Sequence, residues 1–142
     1  MGSTELDNLV GTGQLHREAP NTAELAGLLK SGNARLADAR NTALSLESRF
    51  DLAYNAAHAL SLAAPRRLGY RSESRCAVFQ TLSHTLGTPN NQWQLLSQAH
   101  GLRNRAEYEG RLDPDETLVN GLIEAATAVQ DALRKAGPPP RK

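Results

Sequence analysis

The chain has 142 residues, 39% of them hydrophobic and 22% charged, which excludes a disordered or fibrous polymer and fits one folded domain. Its net charge of +1 excludes a strongly basic coat for nucleic acid but not a local patch. A single cysteine, Cys76, excludes an intrachain disulfide framework and fits a reducing, cytoplasmic setting.

Aromatic residues are only 4% of the chain, so leucine and alanine must fill the core, a composition that suits closely packed helices. No run approaches the roughly 18 apolar residues of a membrane span. The N-terminus "MGSTELDNLV" lacks the basic start and apolar run of a signal peptide.

In chain order, residues 4–10 predict a short helix stopped by Gly11, and residues 11–20, "GTGQLHREAP", a loop. Asn21 or Thr22 caps the next helix, with Glu24 in its first turn. Its face is Leu25, Leu28, Leu29, Leu36 and Ala39. Gly27 and "SGN" at 31–33 weaken that helix without ending it.

Ser45 caps the strongest helix. Leu46, Phe50, Ala53, Ala57, Leu60, Ala64 and Leu68 recur at steps of three and four, and Leu52, Ala56, Ala59 and Ala63 form a second row. A helix so apolar round its girth belongs at the centre of a bundle. Pro65 is expected to kink or end it.

Residues 74–86 predict a further helix, closed by Gly87 and Pro89. Residues 91–108 predict another, with core face Leu95, Ala99, Leu102 and Ala106 and a stop at Gly110. "DPDE" at 113–116 opens the last helix, with Asp113 as cap and Pro114 at the first position. Leu118, Leu122, Ala125, Val129 and Leu133 are its face.

No strand signal is visible. The expectation is an all-α fold: an antiparallel bundle of four to five main helices over residues 21–136, preceded by a short helix and loop (1–20) and followed by a disordered tail (137–142).

No CxxC, HExxH or glycine-rich phosphate loop is present, and the four histidines are scattered. Neither a metal site nor a cofactor is expected.

Three polar groupings remain. On the helix over 91–108, His100, Arg103, Asn104, Glu107 and Tyr108 stand three or four apart, opposite Leu95, Leu102 and Ala106. That is either a solvated stripe or a site. On the central helix Asp51, Tyr54, Asn55 and His58 interrupt an apolar surface at the same spacing, and polar groups there need partners. If the two stripes face each other, Asp51 can hold the Arg103 guanidinium. Third, Arg66, Arg67, Arg71 and Arg75, with Arg105 and Arg111, are positioned in sequence to form a basic rim for a phosphate backbone or a solvated arginine-rich loop. Thirteen of the sixteen basic residues are arginine, the side chain whose planar fork suits phosphate and carboxylate.

"LRNRAEYEG" (102–110), "RFDLAYNAA" (49–57) and "GYRSES" (69–74) together resemble the HEPN family of small helical bundles, over roughly residues 20–136. The family pattern is an arginine, a polar residue such as asparagine, and a histidine a few positions on, near the end of a late helix. The resemblance implies RNA cleavage at a dimer interface, with arginine stabilising phosphate charge and histidine moving protons. Arg103 matches the arginine and Asn104 its polar follower. Tyr108 stands where the histidine would, and a phenol lacks the proton traffic of an imidazole near neutral pH.

The resemblance therefore implies a homodimer of non-catalytic type. Arg103, Asn104 and Tyr108 would line a groove for RNA, a nucleotide or a partner protein, in the manner of a toxin–antitoxin pair with a nucleotidyltransferase. Two alternatives stand beside it. One is a metal-independent ribonuclease using Arg103 with His100 or Glu107; the other is an interaction scaffold without a ligand.

Overall fold

Ser45 accepts the Ser48 backbone N–H in its side-chain oxygen at 3.1 Å, and Asn21 accepts that of Glu24 at 2.9 Å, so both long helices of the N-terminal half begin at side-chain caps read from the sequence. The computed structural model describes residues 3–72, 75–110 and 113–137, apart from the side chains of Ser3, Arg75, Cys76 and Glu107. Along them run α1 (Ser3–Gly11), β1 (Leu15–Arg17), α2 (Thr22–Ala39), α3 (Leu46–Arg67), β2 (Tyr70–Ser72), α4 (Arg75–Gln80), α5 (Leu82–Thr85), α6 (Asn90–Glu109) and α7 (Glu116–Ala136).

The molecule is an all-α helical bundle built on α2, α3, α6 and α7, with α3 at its centre. Side-chain bridges give the directions. Arg49, at the start of α3, donates to the Ala39 carbonyl at the end of α2 (2.8 Å), and Arg66, at the end of α3, reaches Glu24 at the start of α2 (2.7 Å). These two helices are therefore antiparallel. Asn33 accepts from Gln130 and Thr127 from Arg40, which sets α7 antiparallel to α2. Tyr54 meets His100 and Asp51 meets Arg103, which sets α6 antiparallel to α3.

Both apolar rows of α3 are used. Phe50, Ala53, Ala56, Ala57, Leu60 and Ala64 are buried against Leu25 and Leu36 of α2, and against Leu122, Ala126 and Val129 of α7. The α2–α3 approach is close at Gly32: a Cβ there would stand 2.7 Å from the Leu60 Cγ, so only glycine fits without repacking. Pro65 sits inside the last turn of α3, which continues only to Arg67 before Leu68 and Gly69 close it with tighter bonds to Pro65 and Arg66.

Three expectations are corrected. A two-stranded antiparallel ribbon exists: Leu15 pairs with Ser72, His16 with Arg71 and Arg17 with Tyr70. Three-residue strands are too short to show an alternating pattern. The ribbon ties residues 1–20 into the fold, and Leu6, Leu15 and Tyr70 form a small second core beneath it. The helix expected over 74–86 is two pieces, offset at buried Thr81, whose hydroxyl donates to the Val78 carbonyl at 2.8 Å and competes with helical bonding. The cap of α7 is Asp115 rather than Asp113, accepting from Leu118 at 2.7 Å. Gly110 does end α6, in the left-handed conformation (φ 69°) that residues with a Cβ seldom adopt. The tail beyond Gly137 lies outside the described residues.

Candidate functional site

On α6, Ala99 is fully buried and Leu95 and Leu102 are partly buried against the core, as read from spacing, and Leu96 widens that face. His100 and Arg103 lie on the flank that meets α3, rather than on the outer face. The two polar stripes thus form a seam.

At its centre is Tyr54, fully buried, whose hydroxyl lies 3.0 Å from the His100 Nδ1. The Asn104 amide nitrogen lies 3.2 Å from the other ring nitrogen, Nε2. An amide donating there leaves the hydrogen on Nδ1, which then donates to the Tyr54 oxygen. The His100 ring lies nearly parallel to that of Tyr54, with centroids 6.3 Å apart. His58, one turn further along α3, lies nearly parallel to Tyr54 with centroids 6.4 Å apart, and Phe79 of α4 meets the Tyr54 and His58 rings edge-on at 6.1 Å. The rings thus form an aromatic cluster, with the Nε2 edge of His100 turned to the exposed Asn104.

Arg103 closes the block on the solvent side. Its guanidinium carbon is 5.2 Å from the centroid of the Tyr54 ring, and its Nε is 3.5 Å from an Asp51 carboxylate oxygen. The Arg103 side chain is 26% exposed and that of Asp51 52%. The separation exceeds the 2.7–2.9 Å typical of a charge-assisted bond, so the pair is a loose one at the water's edge.

Two of the expected site residues are elsewhere. Tyr108 is 92% exposed and lines no groove with Arg103. Five residues separate them, which is about 140° of rotation on a helix of 3.6 residues per turn. Asn55 turns back along its own helix, donating to the Asp51 carbonyl at 2.9 Å. Glu107 lies outside the described side chains.

Among the described residues, Arg66, Arg67, Arg71 and Arg105 do not assemble as a rim. Arg66 is 1% exposed. Its Nε donates to Glu24 (2.7 Å), Nη1 to the Glu18 carbonyl (2.9 Å) and Nη2 to the Ala19 carbonyl (2.9 Å). Arg71 spends its guanidinium on the same two acids, at 2.6 Å to Glu18 and 2.7 Å to Glu24. The Arg71 and Arg66 hydrogen bonds hold the Glu24 carboxyl below its usual range; Glu18 is lowered chiefly by Arg71, which is itself raised by the two acids. Arg67 turns towards α7, donating to the Ala136 carbonyl at 3.3 Å. Arg105 is exposed on another face of α6, in an open groove shared with Glu109, Asp113 and Asp115. The Arg75 side chain and Arg111 lie outside the description.

Spacing missed the acids of this knot. Glu24 reads as a first-turn residue favoured by the helix dipole, and Glu18 as part of a loop. Their common partnership with Arg66 and Arg71 needs the ribbon, which the sequence did not announce.

No protein-family model, curated protein or solved structure matches the chain. Among the described residues, no helix is long and apolar enough to cross a membrane.

Proposed function

We propose that the chain is a HEPN-like, non-catalytic binding protein that takes the phosphate of RNA or a nucleotide at the α3–α6 seam. The reading rests on one observation: the Arg103 guanidinium lies over the buried Tyr54 ring where α6 meets α3, its side chain 26% exposed beside the half-exposed Asp51. The buried ring places the guanidinium, and Asp51 can swing into water when a phosphate replaces it. Tyr54 itself is buried, so it supports Arg103 and does not stack on a base. The Arg-Asn pair of "RNRAEY" adds the family likeness, and with it a cytoplasmic homodimer partnered by a nucleotidyltransferase in a toxin–antitoxin-type system.

Fluorescence polarisation of a short labelled single-stranded RNA with the full chain tests this. Arg103→Ala should weaken binding at least tenfold, about 1.4 kcal/mol, with helicity by circular dichroism unchanged. Equal affinity of the variant and the parent would overturn the reading.

A second reading is a metal-independent ribonuclease. It is favoured by His100, one turn from Arg103 and oriented through Nδ1 by the Tyr54 hydroxyl, as a proton-transfer group needs to be. RNA cleavage by the parent that is lost in both His100→Ala and Arg103→Ala would establish it and remove the non-catalytic one.

A further inference from the structure

Away from the seam, α2, α3 and α7 enclose a groove of about 230 Å³. A cavity of roughly 150 Å³ lined by aliphatic and aromatic side chains accepts benzene, so this one has room for a ring and a short chain besides. Its floor is Leu25, Leu60, Ala63 and Leu133, and half-exposed Leu29 stands at its lip.

Arg67 occupies one wall. Its Nε is buried and has no hydrogen-bond partner, and its Nη2 makes only the long 3.3 Å bond to Ala136. Burial pushes its pKa below the usual arginine range. No acidic side chain lines the groove to compensate it. Arg134 adds a second cation at the mouth, 71% exposed and 3.5 Å from Asp131. A buried donor without an acceptor is uncommon in folded proteins, because it forfeits its bonds to water. Arg66, next in sequence, has its guanidinium fully occupied; Arg67 does not.

We propose that this groove binds a small amphipathic carboxylate, with its apolar part on the leucine floor and its carboxylate on the Nε–Nη2 edge of Arg67, whose side chain turns on binding to bring that edge out of cover and away from the Ala136 carbonyl. The side-on edge of a guanidinium offers two parallel donors at the spacing of carboxylate oxygens. The singly charged headgroup follows from the one cation in the wall without an acid beside it, since Arg134 at the mouth is exposed and already near Asp131, and a dianion would remain half uncompensated among leucines. The compact apolar part follows from the volume.

Isothermal titration of the full chain with cinnamate, cinnamyl alcohol and phenyl phosphate tests the proposal. Cinnamate should bind saturably and at least tenfold more tightly than the neutral alcohol or the phosphate. Arg67→Met should erase the preference for acid over alcohol. Leu29→Trp, a change at the exposed lip, should block the groove and abolish binding of both, with melting temperature showing each variant folded. Absence of saturable cinnamate binding would overturn the proposal. So would an alcohol that binds as well as the acid, a phosphate that binds more tightly, or affinities untouched by both substitutions.

Discussion

Two arginine–carboxylate groupings sit on opposite ends of α3, and they differ in everything but their chemistry. At the C-terminal end, Arg66 is buried, with Glu24 at 2.7 Å and two backbone carbonyls at 2.9 Å. Towards the N-terminal end, Arg103 approaches Asp51 at 3.5 Å, part exposed, over an aromatic face. The first arrangement ties residues 18–20, α2 and β2 together and has no donor to spare for a ligand. The second sets its cation over an aromatic ring at the flank where α6 meets α3. An arginine is therefore a candidate contact for phosphate according to whether its side chain reaches the surface, 1% exposed for Arg66 and 26% for Arg103, and not according to how many arginines stand nearby.

The contrast predicts opposite outcomes on removal. Arg66→Met should be the most damaging single change. It strips three carbonyls of a donor and leaves Glu24 with Arg71 alone. Loss of one member of a buried charged group costs about 3 kcal/mol or more, a fall in melting temperature on the order of 10 °C for a domain of this size. Calorimetric melting checks it, and a fall under about 3 °C would make the knot dispensable.

Acid should act on the same knot with a smaller effect. The carboxyls of Glu24, Glu18 and Asp7 are held below their usual range, Glu24 and Glu18 first by hydrogen bonds from Arg71 and Asp7 first by that from Tyr70. A carboxyl lowered in the folded state contributes stability that is complete above its unfolded pKa, roughly 4 to 4.5, and is lost as pH falls through the lowered value. Melting temperature should therefore hold from neutrality to about pH 5 and then drop. Glu24→Gln should start lower and drop less. An unchanged profile in that variant would assign the acid sensitivity elsewhere.

The bundle was legible because its signals are local: the three-and-four recurrence of Phe50, Ala53, Ala57 and Leu60 needs only a helix, and Asn21 and Ser45 cap within their own turns. The pairing of Asp51 with Arg103 was legible as an option, since a polar stripe on a buried helix demands partners. What failed depended on rotation or on distant chain. How α6 docks decides whether His100 and Arg103 lie on the α3 flank or on the outer face, and leucines at both 95 and 96 widen its apolar face so that periodicity alone does not fix that edge. The role of Arg66 depends on a ribbon of three-residue strands joining residues 15–17 to 70–72, which no local pattern encodes. Tyr108 was grouped with Arg103 through Asn104, four positions before it, and through the family pattern, and about 140° of helix separates the two.

The two tyrosines give the finest test of where the site ends. Tyr54→Phe keeps the ring beneath Arg103 and removes only the hydroxyl that meets His100. The cost should be about 1 kcal/mol, the net value of one hydrogen bond, with RNA affinity nearly kept if the ring alone positions the guanidinium. Tyr108→Ala removes a side chain that is 92% exposed. It should leave stability within about 0.5 kcal/mol of the parent, as for ordinary surface changes. Its RNA affinity should also stay within about twofold, since a contact worth much more than 0.4 kcal/mol would show as a larger ratio. Denaturant unfolding and the polarisation titration measure both. A large loss of RNA binding in Tyr108→Ala would move the site off the seam and onto the outer face of α6, where Arg103 could not be its centre.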